Sequence, residues 1–214
     1  MGVYPLLRDD TCWFLAMDFD DESWKEDVRA VRETCVRLGL PAYIERSRSG
    51  SGGHVWLFFE APVAAVDARK LGFHVLTEAM AARPELSFKS YDRLFPSQDT
   101  LPEGGFGNLI ALPLQLAAAA AGNSLFLDEQ LGPIPMDEQV ELLANVERIA
   151  PATVRSLVDK ATVEDSVLGV DDVDSGEEQE SAAPWTQPTS SFQAKSTRIV
   201  VNTGGPSPSN SMAS

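Results

Sequence analysis

The chain is poor in cysteine and lacks a long apolar run, and each scarcity excludes a class of protein. Cys12 and Cys35 are its two cysteines, and they offer neither a metal-ligand spacing nor a disulfide framework. We therefore predict no zinc site and a reducing, cytoplasmic setting. The apolar segment at residues 112–121 is shorter than a membrane-spanning helix, and the N-terminus lacks the layout of a secretion signal. We predict no membrane partner.

Basic residues are also scarce, since 17 Lys and Arg stand against 32 Asp and Glu, for a net charge of −15. This balance argues against a protein that holds nucleic acid by bulk electrostatics. The deficit is uneven, because residues 156–214 carry nine acids and three bases, whereas residues 45–108 carry eight and seven. Acids that bind divalent cations also stop counting as free negative charge. The charge weakens a nucleic-acid hypothesis without excluding it.

Apolar periodicity predicts a core in which strands and helices alternate. Strands are predicted at residues 13–20, 42–46, 54–59 and 108–112, with weaker strand character at 86–91, and helices at 23–39 and 62–83. Ser23 and Glu26 have the spacing of a capping box at the first helix. The order β-α-β-β-α-β predicts an α+β fold with a ferredoxin/RRM-like core, in which residues 92–106 are a loop reaching the same sheet edge as Asp18.

The part of the chain after this core changes in character. Helices are predicted at residues 136–149, with Val140 and Leu143 inward, and at 152–161. From Val163 onward the sequence is acidic and then rich in Ser, Pro and Gly, a composition that cannot bury enough apolar surface to fold. We therefore predict a main domain at 1–150, a C-terminal helix at 151–162 and a disordered tail at 163–214.

The most informative feature is a pair of aspartates one residue apart at the end of the first strand. Because side chains alternate between the faces of a strand, Asp18 and Asp20 share a face while Phe19 turns into the core. Carboxylates placed in this way suit the two Mg²⁺ or Mn²⁺ ions of nucleotidyl transfer. A third acid usually completes such a site. Asp92 is the first candidate and Asp99 the second.

A loop rich in glycine, serine and arginine lies between the second and third strands. Glycine has no Cβ, so its backbone N–H can approach phosphate oxygens closely. Arginine adds a fork-shaped cation, and a histidine at the strand start can donate to a phosphate. The predicted topology brings this loop to the edge that carries the aspartate pair. The candidate phosphate-binding residues are Arg46, Arg48, Ser49, Gly50, Ser51, Gly52 and His54.

Each of these features has a commoner structural explanation. The two aspartates can be solvated acids at a strand end, the loop can be a plain hairpin, and His54 can be a half-buried histidine. Their convergence on one predicted sheet edge favours a metal and phosphate site. From the residues alone, both explanations stay open.

Three blocks of the sequence resemble the archaeo-eukaryotic primase superfamily. They are a hydrophobic-Asp-x-Asp strand at 17–20, a small-x-His strand start at 52–54 and a hydrophobic-Asp pair at 91–92. The chain is more similar still to the primase domain of TOTE conflict-system proteins, over about residues 3–150. The block at 90–115 is long and specific.

The resemblance implies a DNA-dependent primase-polymerase, which builds a primer from nucleoside triphosphates on a single-stranded DNA or RNA template. It places the protein in a mobile-element or defence system, beside a superfamily 2 helicase and a nuclease. The implied ligands of a two-metal Mg²⁺ or Mn²⁺ site are Asp18, Asp20 and Asp92. His54 and the loop at 49–53 would hold the triphosphate. Asn108 matches a motif position near the nucleotide.

Two departures from the family keep alternatives open. The chain begins 17 residues before Asp18, and no helicase motif follows Ala150, so we expect a shortened primase domain. Gly52 also stands where many relatives have serine. One alternative is a catalytically silent module that binds nucleotide or nucleic acid, although all three predicted ligands are intact. Another is a ferredoxin-like interaction domain whose acids are surface charge and whose stability does not respond to metal.

Overall fold

The computed structural model describes residues 1–83, 91–101 and 104–167, without the side chains of 91, 92 and 163–167. Its strands are β1 (Gly2–Val3), β2 (Thr11–Phe19), β3 (Tyr43–Arg46), β4 (Gly53–Ala64), β5 (Tyr91–Phe95) and β6 (Ile110–Ala111). Its helices are α1 (Trp24–Arg37), α2 (Ala65–Ala82), α3 (Leu116–Ala119), α4 (Met136–Ala144) and α5 (Pro151–Val167). In these ranges no helix is long and apolar enough to cross a bilayer.

The main sheet has the strand order β3-β4-β2-β5, and every neighbouring pair is antiparallel. Its strands and first two helices follow along the chain as β2-α1-β3-β4-α2-β5. This confirms the predicted α+β class. The strands predicted at 42–46 and 54–59 correspond to β3 and β4, and β4 extends five residues further, to Ala64.

The prediction for the last strand of this sheet is wrong. The fourth strand is β5, so residues 92–95 belong to a strand and not to a loop. The segment predicted at 108–112 contributes the two-residue strand β6, which pairs with β1 in a separate sheet. Ile110 is buried there against Ala16 and Trp56, so its apolar character marks burial on the face of the main sheet. Of the weaker segment at 86–91, residues 86–90 lie outside the described residues.

The two faces of the main sheet carry separate buried clusters. Leu15, Met17 and Phe19 alternate along β2 and face the cluster that includes residues of α1, α2 and α5. Ala16 faces the opposite way, into a second cluster with Trp56 and residues from the later part of the chain. Asp18 follows Ala16 on this second face. The aspartate at the strand end therefore lies on the side of the sheet away from α1 and α2.

The starts of both core helices differ from the prediction. Ser23 makes no side-chain cap hydrogen bond, and its hydroxyl donates instead to Asp27 Oδ2 at 2.6 Å. The predicted capping box with Glu26 is therefore wrong, because the Ser23 hydroxyl donates its hydrogen bond to the buried Asp27 carboxylate. Helix α2 begins at Ala65 and not at Pro62, which lies in β4 where its pairing with β2 is irregular, between the pairs Phe14–Phe58 and Cys12–Val63. A strand tolerates proline where no ladder hydrogen bond needs its N–H.

The free edge of β4 beyond β3 is covered by a residue from the C-terminal part of the chain. β3 pairs with β4 as far as Trp56. Further along β4, Ile149 N donates to Phe58 O at 2.8 Å, and Glu60 N donates to Ile149 O at 2.9 Å. These bonds protect an edge that would otherwise expose unpaired backbone groups.

Helix α5 follows this residue and contacts α2 and β4, with Val154, Leu157 and Val158 buried in the same cluster as Phe59. It extends to Val167, five residues beyond the predicted helix end. Of the tail predicted to start at residue 163, residues 168–214 lie outside the described part of the chain.

Helix α4 turns Leu143 inward as predicted, partly buried against the cluster of Ala16 and Trp56, but Val140 does not face the interior. Val140 is 67% exposed, whereas its neighbour Gln139 is fully buried. The Gln139 amide donates to Phe126 O at 3.0 Å and to Ile134 O at 2.8 Å, and its oxygen accepts from Phe126 N at 2.9 Å. The side chain therefore satisfies backbone groups of a segment that lies outside the helices and strands named above. Helix α4 also ends at Ala144, short of the predicted residue 149.

Gln139→Leu is expected to lower the free energy of unfolding by about 2–4 kcal/mol, because Phe126 N and Ile134 O lose the partner described for them, while Phe126 O keeps the hydrogen bond from Ile134 N. Val140→Gln, on the exposed side of the same helix, should change it by less than about 0.5 kcal/mol. Urea unfolding monitored by circular dichroism measures both. Equal midpoints for the two variants would contradict the assignment of Gln139 to the interior.

Candidate functional site

The aspartate pair lies at the C-terminal end of β2, in the middle of the main sheet. Asp18 stands opposite His54 of β4 on one side and Arg93 of β5 on the other. Its side chain is 21% exposed, Asp20 just beyond the strand is exposed, and Phe19 between them is completely buried. The alternation predicted from the sequence therefore holds. Two carboxylates with solvent access stand at the end of a strand whose preceding residues, Leu15–Met17, are buried.

His54 bridges two carboxylates on the second face of the sheet. Its Nε2 lies 3.2 Å from Asp18 Oδ1, and its Nδ1 lies 3.0 Å from Glu45 Oε2. Burial favours the neutral ring, but the hydrogen bonds and charges of Asp18 and Glu45 outweigh it and raise the pKa of His54 to about 9. In the charged form both ring nitrogens donate hydrogen bonds. The result is a line of three polar groups leading from the interior to the open strand end.

Glu45 is a site residue that the sequence reasoning missed. It is 1% exposed, and besides His54 it accepts hydrogen bonds from Trp56 Nε1 at 3.0 Å and Ser124 Oγ at 3.3 Å. An isolated glutamate beside an arginine in a short strand is typical of surface charge. The signal that could have found it is the hairpin register, which sets Glu45 directly opposite His54.

The glycine-rich segment is the hairpin loop between β3 and β4. Ser47 N donates to Gly52 O at 2.9 Å, and Gly50 N donates to Ser47 O at 3.0 Å. Ser49 Oγ accepts from Ser51 N at 3.2 Å and lies 3.0 Å from the Ser47 hydroxyl. The loop is therefore shaped by its own hydrogen bonds and ends directly before His54.

Gly52 allows this loop to lie against the strand that carries the aspartates. A Cβ at this position would stand 2.4 Å from Phe19 O and 3.2 Å from Asp20 Cα, which is closer than real contacts permit. Gly53 is equally restricted, since a Cβ there would stand 2.7 Å from the ring of Trp24. The absence of a side chain at Gly52 thus brings loop and aspartate pair together.

The two candidates for a third acid lie at opposite ends of β5. Because β5 runs antiparallel to β2, with Arg93 opposite Asp18 and Tyr91 opposite Phe19, the backbone of Asp92 lies beside the aspartate pair. The Asp92 side chain is outside the described part of the structure. Asp99 follows the far end of β5 and forms a salt bridge with the buried Arg69 of α2. The fold brings the backbone of Asp92 to the site and leaves Asp99 away from it.

Comparison with known families bears on this arrangement. The family model described as the TOTE conflict system archaeo-eukaryotic primase domain matches residues 1–157. The chain belongs to this family. No curated protein matches it. The match covers the aspartate pair, the hairpin loop, His54 and β5, and it confirms the resemblance found in the sequence.

The remaining predicted residues of this primase domain differ in their surroundings. Arg46 Nε donates to Gly50 O at 3.1 Å, so one of its donors supports the loop. Arg48, Ser49 and Ser51 are exposed on the loop. Asn108 lies two residues before β6, and the hydrogen bonds described at the site do not include it.

The described residues of the primase domain supply oxygen donors for a divalent cation. Among them, no group of three or more His, Cys, Asp or Glu is placed to hold a metal ion. Asp18 and Asp20 provide two carboxylates at a solvent-accessible strand end, and carboxylate oxygens suit Mg²⁺ or Mn²⁺. The donor set present fits a hard cation.

Proposed function

We propose that this primase domain is a DNA-dependent primase-polymerase. It would transfer nucleotides from ribo- or deoxyribonucleoside triphosphates onto a growing primer on a single-stranded template, within a mobile-element or defence system. The observation that supports this most directly is the convergence of Asp18, His54 and the Gly52 loop at one end of the main sheet. Family membership supports the same class of chemistry.

The aspartates are proposed to hold divalent cations. Asp18, Asp20 and Asp92 would bind Mg²⁺ or Mn²⁺. A bound cation would lower the pKa of the attacking primer hydroxyl and neutralise the negative charge of the triphosphate. The β2–β5 register supports Asp92 as the third acid, whereas Asp99 is engaged with Arg69. Two ligands on β2 and one on the neighbouring strand would fix the site on the central part of the sheet.

His54 and the hairpin loop are proposed to hold the triphosphate. The His54 Nε2 faces the open end of β2, where it can donate either to Asp18 or to a phosphate oxygen. The exposed Arg48, Ser49 and Ser51 offer a cation and hydroxyl groups on the same side. Asn108 stays a prediction from the family motif.

The partners are proposed from the same chemistry. A polymerase of this kind reads a single-stranded DNA or RNA template. Because the net charge of −15 repels nucleic acid over most of the surface, contacts with the template would be confined to residues near the site. A superfamily 2 helicase and a nuclease would act alongside the primase domain.

The test is primer-independent synthesis by the full chain on single-stranded DNA, with labelled nucleotides and Mn²⁺ or Mg²⁺. We expect products that require the template and disappear with a chelator. Melting temperature is measured in parallel with metal and triphosphate. A shift without products would identify a silent binding module, and neither products nor a shift would point to an interaction domain. Either result would overturn the proposal.

A further inference from the structure

We propose that Glu45 is a positioning residue, which holds the His54 ring so that its Nε2 is presented to the incoming triphosphate. This inference rests on the proposed function, since it assigns a task to a residue beside the proposed phosphate ligand. Glu45 itself lies too deep to meet substrate. It is 1% exposed, whereas the Asp18 side chain at the other end of the line is 21% exposed.

The Glu45 carboxylate is held from three directions. Its Oε2 accepts from His54 Nδ1 and from Trp56 Nε1, each at 3.0 Å, and its Oε1 accepts from the Ser124 hydroxyl at 3.3 Å. Trp56 belongs to β4, and Ser124 lies in the segment after α3, itself anchored by a hydrogen bond from Ser124 N to Ser47 O. Because an indole N–H can only donate, the contact with Trp56 identifies Oε2 as an acceptor. The same oxygen contacts His54 Nδ1.

The burial of this carboxylate requires an explanation beyond packing. Removing a carboxylate from water costs free energy that an apolar side chain at the same place would not incur. The neighbouring cluster of Ala16, Trp56 and Phe126 would accept such a side chain. What an apolar residue cannot do is accept the hydrogen bonds of His54 Nδ1, Trp56 Nε1 and the Ser124 hydroxyl. Among these donors, His54 also lies 3.2 Å from Asp18, so the ring connects the buried carboxylate with the aspartate pair.

Fixing Nδ1 determines where the other ring nitrogen points. With Nδ1 bonded to Glu45, the ring cannot turn over without breaking that bond, and Nε2 stays on the side of Asp18. The Asp18 carboxylate is also proposed to bind cations, and Nε2 is then available to another acceptor at the same place. Glu45 would thus keep a donor directed at the open end of β2 whichever acceptor is present.

The test compares Glu45→Ala and Glu45→Gln with the wild-type full chain, by nucleoside triphosphate binding and by steady-state synthesis. Loss of the acceptor is expected to weaken triphosphate affinity and raise its KM by about 10–100-fold, with a smaller effect on kcat. Glutamine keeps one acceptor oxygen and should restore part of the affinity. Glu60→Ala and Glu60→Gln, at an exposed glutamate further along β4, are the matched controls and should stay within about threefold of wild type.

Side-chain ¹⁵N–¹H NMR provides a readout that does not depend on synthesis. The wild type should show a protected His54 Nδ1 proton, with His74 as internal reference, and Glu45→Ala should lose that protection. If the alanine variant does not fold, the same affinity and NMR measurements on the nearly isosteric Glu45→Gln variant test the inference. Unchanged affinity, or an unchanged Nδ1 signal, in a folded Glu45 variant would overturn the inference.

The outcomes separate this inference from the proposed function. A wild type that binds triphosphate but makes no product would refute the polymerase proposal, while a Glu45 effect on binding would still support the positioning role. A wild type that synthesises normally, with Glu45 variants that bind equally well, would refute the positioning role alone. A wild type that binds no triphosphate would refute both.

Discussion

Asp18→Asn is expected to reduce strand synthesis at least about 100-fold while leaving the fold intact. The substitution is nearly isosteric, and its side chain is 21% exposed, so the buried clusters on both faces of β2 stay as they are. The amide keeps an oxygen donor but loses the negative charge that strengthens the binding of a hard divalent cation. Because loss of groups that merely orient metal ligands costs 10–100-fold, loss of a ligand should cost more. Synthesis rates at saturating Mn²⁺, with circular dichroism as the check on folding, measure the effect.

Asp92 and Asp99 provide a matched pair for the same experiment. Asp92→Asn should behave like Asp18→Asn, because the backbone of Asp92 lies beside Asp18. Asp99→Asn should keep synthesis within about threefold of wild type, since an asparagine oxygen can still accept from Arg69, its present partner. Equal losses in both variants, or a loss in Asp99→Asn alone, would refute the assignment of the third acid. Full activity of Asp18→Asn would refute the metal site itself.

Gly52→Ala is expected to cost about 1–3 kcal/mol of stability and to weaken triphosphate binding at least about tenfold. The added Cβ would stand 2.4 Å from Phe19 O, a backbone atom that cannot turn aside as a flexible side chain would. The hairpin loop must therefore move away from β2, and the proposed phosphate and metal ligands separate. Thermal unfolding and triphosphate titration measure the two effects.

Ser51→Ala is the control for this substitution. Ser51 neighbours Gly52 on the exposed part of the loop, and the hydrogen bond described for it uses its backbone N–H, which alanine retains. We expect little change in stability and a smaller loss of affinity than for Gly52→Ala, because one of several proposed phosphate donors is removed while the loop keeps its position. If Gly52→Ala matched this control in both measurements, the close approach of loop and strand would contribute neither to stability nor to triphosphate binding.

The parts of the fold that the sequence predicted depend on local patterns. Alternation along one strand is sufficient to turn Phe19 inward and Asp18 outward, and both positions were found. Helix α1 and the glycine after it were found in the same way, since Gly39 adopts a φ of 70° that favours glycine. Burial of Cys35, expected from its place on the apolar stripe of α1, raises the pKa of its thiol to about 12.

The parts that the sequence did not predict depend on partners distant along the chain. Glu45 is buried because Ser124, 79 residues away, and the indole of Trp56 satisfy its carboxylate. Gln139 is buried because backbone groups of Phe126 and Ile134 accept and donate to it. Ile110 was predicted to lie in the last strand of the main sheet, but apolar periodicity indicates only that a residue is covered and not which element covers it.

The position of α5 determines how much of the chain is needed for the rest to fold. The helix buries Val154, Leu157 and Val158 against the strand that starts at Gly53 and against α2. Ile149, just before it, also supplies the backbone partner for the far half of β4. A chain cut after residue 150 would leave this apolar surface of β4 and α2 facing water. The minimal folding unit that carries His54 therefore includes α5.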